Sequence, residues 1–305
     1  MSDVNDIDWI AVDWGTTHLR AWAMGQDGRV LGKASSDAGM NTLDPSEFEP
    51  TLASLIAPWR RTGIRVLACG MVGARQGWQE APYVAVPTRP SEVKPARITA
   101  THDMDQKVWI VPGLSQSNPP DVMRGEETQI AGFLAEEPDF EGILCLPGTH
   151  TKWVHLSAKE VVSFRTFMTG ETFDLLSNNS VLRHSVAAPR LDTTAFVEAV
   201  SDTLSRPEQL AAKLFSIRAE ATLTGTDPAV SRARLSGYLI GAELAAARPY
   251  WLGQEVVIAG EGALTSLYGQ ALEAQGAMVR MIDADPLTLR GLSHLRTTIR
   301  DHSLT

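Results

Sequence analysis

At 305 residues the chain is long enough for two domains, each able to bury a core of its own. A formal charge of −9 with no basic cluster excludes nucleic acid and anionic membranes as main partners. No apolar run reaches membrane-spanning length, and the stretch from Met1 to Asp8 holds three aspartates and no lysine or arginine, so the expected location is cytoplasmic. Cys69 and Cys145 sit in apolar, strand-like runs and read as buried and reduced. The oligomeric state stays open, a homo-oligomer included.

The first element is Trp9-Ile10-Ala11-Val12-Asp13, an apolar run ending in a carboxylate. Gly15-Thr16-Thr17 follows, and then the alternating stretch from His18 to Met24. Period-two patterning on both sides of so short a break predicts a β-hairpin. Its tip suits phosphate: Gly15 lets backbone N–H groups approach closely, and two threonine hydroxyls add donors. Asp13 is placed to hold a hydrated Mg²⁺, which prefers one or two carboxylates and keeps several waters. A hairpin with a polar tip and no ligand fits the same residues. A third strand follows at Arg29–Gly32, and Ala38-Gly39-Met40-Asn41 is a candidate substrate-side loop.

Residues 45–61 have helical spacing, with Phe48, Leu52, Leu55, Ile56 and Trp59 on one face. Arg65–Cys69 is a buried strand opening into Gly70-Met71-Val72-Gly73, either a close backbone approach or a tight turn. A proline-rich connection covers 82–101. A short strand is expected at 108–114, then a loop at 115–120. Gly125 breaks the chain before a helix marked by Ile130, Phe133 and Leu134, so Glu126 and Glu127 fall in its first turn. The helix dipole alone accounts for acidic residues there.

Gly142–Leu146 then runs into Pro147-Gly148-Thr149-His150-Thr151-Lys152, and an alternating strand and a third strand (161–165) follow. This second hairpin unit repeats the first and implies a duplicated architecture. Arg165 offers a planar fork for a carboxylate, or is a surface strand residue. Residues 172–248 are largely helical, with 207–221 and 228–248 the clearest pieces. The stretch 255–281 reads strand, Gly260-Glu261-Gly262, helix, strand; it lacks the third glycine of a dinucleotide fingerprint. A closing helix is expected over 287–299.

The pair formed by Asp13-Trp14-Gly15-Thr16-Thr17 and Pro147-Gly148-Thr149-His150-Thr151-Lys152 resembles the two phosphate loops of the sugar kinase/heat-shock chaperone/actin superfamily. That resemblance implies an α/β chain with two actin-like (ribonuclease H-like) domains around a nucleotide cleft. The first would span 1–137 and be joined by a closing helix, 288–305; the second would span 138–287. It implies ATP and Mg²⁺ as cofactors. Gly15, Thr16, Thr17, Gly148, Thr149, His150 and Lys152 would lie near the phosphates, with Gly260 and Gly262 against the adenosine. Lys152 equally fits an outward-pointing strand residue. Pro147 stands where the second loop of the superfamily often has Asp, which leaves Asp13 as the main metal candidate. In related sugar kinases an acid at the start of a helix, shortly before the second loop, takes the acceptor's proton. Glu126 and Glu127 match by order and context, and Glu127-Thr128-Gln129-Ile130-Ala131 is the better match.

With Gly70-Met71-Val72-Gly73, Val122–Gln129 and Phe164–Glu171 added, the set resembles the 2-keto-3-deoxygalactonate kinase family. The motifs run from the first strand to about residue 171, with weaker similarity through 300. The resemblance implies ATP-dependent phosphorylation of the C6 hydroxyl of 2-dehydro-3-deoxy-D-galactonate in galactonate catabolism. Gly70 and Met71 would face the sugar, and Arg124 or Arg165 its acid group. Three other readings fit the same hairpins: a kinase of another sugar or sugar acid, a nucleotide-switched binding protein, and a polyphosphate hydrolase.

Overall fold

The protein is described by a computed structural model covering residues 6–98 and 107–299. Parts of three expected segments lie outside those residues: 1–5 of the acidic N-terminus, 99–101 of the connection and 300–305 of the closing segment. The chain divides into two compact units, one of Met1–Phe140, Ser157–Ser163 and Ala284–Thr305, the other of Glu141–Leu156 and Phe164–Asp283.

The first unit opens with β1 (Ile7–Trp14), β2 (Leu19–Gly25) and β3 (Val30–Ser36), an antiparallel meander. Then come α1 (Phe48–Leu55), β4 (Arg65–Gly70), β5 (Tyr83–Ala85), β6 (Ala96–Arg97), β7 (Lys107–Ile110), β8 (Gly113–Ser117), β9 (Pro120–Met123) and α2 (Glu126–Glu136). Six strands form one sheet in the order β3-β2-β1-β4-β7-β6, with β1, β4 and β7 parallel. Central β1 is apolar on both faces because both are covered; Ile10, Val12 and Trp14 pack on Phe48, Leu52 and Ile56. Each such fully buried side chain contributes roughly 1.5–3 kcal/mol.

The helix expected over 45–61 is cut short. Pro58 has no N–H to continue the ladder, so α1 ends at Leu55 and a 3₁₀ turn takes 57–59. The strand expected at 108–114 is also divided, since Pro112 cannot pair, and the chain passes into a separate three-stranded sheet, β5-β8-β9. The expected loop at 115–120 is in fact most of a β8–β9 hairpin with a cis Asn118–Pro119 bond in its turn. Its Ser, Gln and Asn side chains carry no apolar alternation that would have revealed it.

The second unit repeats the plan with β10 (Gly142–Leu146), β11 (Thr151–Ser157) and β12 (Glu160–Phe167). Then come α3 (Thr169–Asn179), α4 (Thr193–Ser205), α5 (Leu210–Leu223), α6 (Pro228–Ala246), α7 (Arg248–Trp251), β13 (Glu255–Ala259), α8 (Gly262–Glu273) and β14 (Met278–Ile282). The strand order β12-β11-β10-β13-β14 matches β3-β2-β1-β4-β7, with β10, β13 and β14 parallel. Trp153, Phe196, Val200, Ile240, Leu244 and Ile258 are part of its core. The duplication legible in the two hairpins therefore extends to whole sheets.

The chain then returns to the first unit as α9 (Asp285–Arg296), which packs along α2. Their backbones touch: a Cβ on Gly132 would stand 2.0 Å from the Leu287 carbonyl, and one on Gly291 1.9 Å from that of Thr128. This crossing fixes the helix whose first turn carries Glu126 and Glu127.

Candidate active site

In the first unit the C-terminal ends of parallel β1 and β4 meet the start of α2. Asp13 lies opposite Cys69 and Trp14 opposite Gly70 in the strand register. Gly70 has φ +89°, and a Cβ there would be 2.6 Å from the Trp14 carbonyl, so only glycine turns the chain at this point. Gly125, with φ +107°, lies against Gly70 and starts α2. Cys69 is buried, donates to Asp13 Oδ1 at 3.8 Å, and has its pKa raised by burial and by Asp13 and Glu127. Asp13, Cys69 and Glu127 thus share one locality, at the strand ends where open α/β sheets bind ligands.

Glu127 is 1% exposed. Its Oε2 accepts from the Gly125 N–H at 2.6 Å and its Oε1 from the Thr128 hydroxyl at 3.1 Å. Burial, with the charge of Glu126 adding to it, outweighs those hydrogen bonds and pushes the Glu127 pKa up to about 8. Glu126 is half-buried and accepts from the Arg124 N–H at 3.2 Å, just ahead of the helix. The raised pKa has a stability consequence. The folded state holds a proton on Glu127 that the unfolded chain releases near the ordinary glutamate value of 4.5. Stability from this group is complete below about 4.5 and is lost as pH rises toward about 8, by at most about 1.4 kcal/mol per unit. Melting temperatures of Glu127→Gln and the parent, measured from pH 4 to 9, are therefore expected to diverge in the variant's favour as pH rises. A constant difference would contradict the shift.

The first hairpin tip is held from behind. Gly39, Met40 and Asn41 donate their N–H groups to the carbonyls of Thr17, Gly15 and Thr16 at 3.0–3.1 Å, which leaves Thr16 and Thr17 exposed. Asp13 is paired with a residue the sequence reading missed: Arg20 donates to Asp13 Oδ2 from Nη2 at 2.7 Å and from Nε at 3.2 Å. Arg20 also reaches Asp285 at 2.6 Å. Asp13 and Arg20 are direct cross-strand partners, so the hairpin register held that signal. Among the described residues no cluster of three His, Cys, Asp or Glu side chains is placed to hold a metal. Asp13 Oδ1, beside Gly70 and outside the Arg20 contact, fits a Mg²⁺ that reaches the protein through one carboxylate oxygen and water.

Arg124 is buried, stacked 4.3 Å from the centroid of the Tyr83 ring, with Nη2 donating to the Ala81 carbonyl at 2.8 Å. Its Nε and Nη1 are buried without a hydrogen-bond partner, an uncommon state for a guanidinium. Gly73 lies against Nη1 and the half-buried Met71 follows Gly70, so both ends of the Gly70–Gly73 turn belong to this region. Arg165, on β12, is exposed.

In the second unit the tip Gly148–Thr149–His150 lies on the first turn of α3. The Glu171 N–H donates to the Thr149 carbonyl at 3.0 Å, and His150 Nε2 is 2.6 Å from Glu171 Oε2. Lys152 is buried, and its ammonium donates to the His150 carbonyl at 3.3 Å, which corrects the outward-pointing alternative. Gly260 lies near Pro147, at the start of the hairpin loop, and Gly262 opens α8 with φ +66°. A cavity of about 540 Å³ runs from Gly148 and Thr149 between α3, α6 and α8, past Phe173, Arg232 and Leu264. Arg232 and Ser236 lie on the cavity side of α6, and the helical spacing of 228–248 does not single them out.

Comparison with known proteins bears on this arrangement. The family model described as 2-keto-3-deoxy-galactonokinase matches residues 13–295. A Rhizobium meliloti (strain 1021) protein named a probable 2-dehydro-3-deoxygalactonokinase is 43% identical over 295 residues, covering 93% of this chain and 95% of its own. This chain belongs to the 2-keto-3-deoxy-galactonokinase family. The 2-dehydro-3-deoxygalactonokinase of Escherichia coli (strain K12) is 37% identical over 288 residues, covering 93% of this chain and 96% of its own. A solved Sinorhizobium meliloti structure, described as a putative 2-dehydro-3-deoxygalactonokinase, superposes with a TM-score of 0.88 at 42% identity, over 95% of this chain and 98% of that one. Component A of the Acidaminococcus fermentans (R)-2-hydroxyglutaryl-CoA dehydratase shares the fold alone, with a TM-score of 0.53 at 12% identity over 95% and 98% of the two chains. The galactonokinase family is a family of carbohydrate kinases, so nucleotide use follows from membership. Among the described residues no helix is long and apolar enough to cross a membrane.

Proposed function

We propose that the protein transfers the γ-phosphoryl group of ATP to the C6 hydroxyl of 2-dehydro-3-deoxy-D-galactonate, as a cytoplasmic step of galactonate catabolism. The observation that carries the mechanism is Glu127, a buried carboxylate of raised pKa that, like Asp13, acts on Cys69 at the strand ends. Phosphoryl transfer asks for positioning and charge stabilisation, and for a carboxylate that accepts the acceptor's proton as attack proceeds. Glu127 is that base: burial makes its carboxylate basic enough to hold the proton, whereas Glu126 is only half-buried and accepts from the Arg124 N–H. Gly15, Thr16 and Thr17 of the first hairpin and Gly148, Thr149 and His150 of the second bind the β- and γ-phosphates through backbone N–H groups and hydroxyls. Lys152 stiffens the second tip from behind. The cavity between α3, α6 and α8 takes the nucleoside, with Gly260 and Gly262 at its edge. Asp13 would hold Mg²⁺, which supplies charge neutralisation at the phosphates when bound.

The work divides along the chain: residues 1–137 with the closing helix carry base and acid recognition, and 138–287 carry the nucleoside side. Arg124 binds the substrate carboxylate. Its two partnerless nitrogens want an acceptor, whereas exposed Arg165 faces solvent. A charge-assisted hydrogen bond of about 1.5–3 kcal/mol corresponds to roughly 10- to 150-fold. Arg124→Met is thus expected to lower kcat/KM for the sugar acid by that factor and to leave the KM for ATP within twofold. Steady-state kinetics with each substrate varied in turn checks this. An unchanged sugar-acid KM would move the role to Arg165. The activity itself is tested with an acceptor panel: 2-dehydro-3-deoxygalactonate, its gluconate epimer and neutral hexoses, read as ADP release. Preference for a neutral hexose would overturn the assignment of substrate.

A further inference from the structure

Glu243 has no part in the chemistry above, yet it is 3% exposed in the middle of the second unit, on α6. Burial raises its pKa against three hydrogen bonds that pull it down. Those bonds reach three different elements. Trp153 Nε1 on β11 donates to Oε1 at 2.7 Å, Tyr268 on α8 donates its hydroxyl to Oε2 at 2.8 Å, and the Thr169 hydroxyl at the start of α3 also donates to Oε2. Tyr268 continues the chain of contacts, its hydroxyl lying 2.9 Å from the hydroxyl of fully buried Thr151.

These contacts converge on the second Gly-Thr hairpin. Thr151 is where the tip Gly148–Thr149–His150 rejoins its strand. Thr169 is followed by Gly170 and Glu171, the residues on which the tip rests. A Cβ on Gly170 would stand 2.2 Å from the Gly148 carbonyl, so tip and helix start are in direct backbone contact. One carboxylate therefore anchors the returning strand of the loop through Tyr268 and Thr151, and its supporting helix through Thr169. Tyr268, Thr169 and Gly170 also line the cavity that begins at Gly148 and Thr149.

We propose that Glu243 is a positioning residue that holds the second hairpin in its nucleotide-binding shape and ties it to the helix bordering the nucleoside cavity. The proposal rests on the reading that this hairpin binds ATP phosphates. Tertiary networks of this kind matter through every member's being satisfied. Replacing Glu243 by leucine leaves the Trp153, Thr169 and Tyr268 donors without an acceptor and releases both anchors. Glutamine keeps the shape and an acceptor oxygen. The pattern expected is loss of nucleotide affinity with the acceptor side untouched.

The test uses the full-length protein, with MgATP affinity by calorimetry and KM for each substrate by ADP release. Glu243→Leu is expected to weaken MgATP binding tenfold or more, with the sugar-acid KM within twofold, and Glu243→Gln to stay within threefold of the parent. Tyr268→Phe removes only the hydroxyl that bridges Glu243 to Thr151, and a three- to fivefold weakening is expected. It decides the matter if Glu243→Leu does not fold. Unchanged MgATP affinity in the folded variants, or an equal rise in both KM values, overturns the positioning role. Thr149→Val separates the two layers. If it weakens MgATP while Glu243→Leu and Tyr268→Phe do not, only the role of Glu243 fails. If it too is without effect, the phosphate role of the hairpin fails with it.

Discussion

Glu127→Gln is expected to lower kcat by roughly 10²- to 10⁴-fold, the range general-base catalysis supplies, while the KM for ATP changes little. Glutamine fills the same buried space and still accepts the Gly125 N–H, so packing is retained and the loss is one of proton acceptance. The pH profile makes the assignment sharper. With a pKa of about 8 the free enzyme holds Glu127 protonated at neutral pH, and only the ionised fraction accepts a proton. The parent's kcat/KM for the sugar acid should climb with pH and level off above about 8; the small residual rate of Glu127→Gln should lose that limb. Glu126→Gln, whose amide oxygen still accepts the Arg124 N–H, should retain the limb and most of the rate. Reversed behaviour of the two variants would exchange their roles.

Gly170→Ala should damage the nucleotide side by a purely steric route. The added methyl would meet the Gly148 carbonyl at 2.2 Å and Thr149 Cα at 2.9 Å, and both are backbone atoms that no rotamer change can move. Either the tip lifts from α3 or the start of the helix unwinds, and overpacking of this kind costs about 1–3 kcal/mol. A rise of tenfold or more in the KM for ATP is expected, with the sugar-acid KM unchanged and a lower melting temperature. Kinetics matching the parent would mean that the tip need not rest on α3 to bind nucleotide.

The parts of the site legible in the sequence were those with local signatures. Asp13 at a strand end, the two Gly-Thr tips and the acidic first turn of α2 follow from period, breaks and order along the chain. What stayed hidden depends on residues far apart in sequence. Tyr83 stacks on Arg124 across 41 positions and Glu243 meets Trp153 across 90, and no period or spacing encodes either meeting. The β8–β9 hairpin escaped because its turn and the strand ends beside it are polar and carry no apolar alternation. Arg20 is the intermediate case. Once β1 and β2 are paired it must stand opposite Asp13, and taking the register one step further would have found it.

The most direct test is ³¹P NMR of the product formed from ATP and 2-dehydro-3-deoxygalactonate with the purified protein. A new phosphomonoester resonance split by the two protons of one CH₂ group, growing in step with ADP, is the result expected for transfer to the C6 hydroxyl. Inorganic phosphate appearing at the same rate with or without the sugar acid would contradict it, and would make the protein a hydrolase or a nucleotide switch.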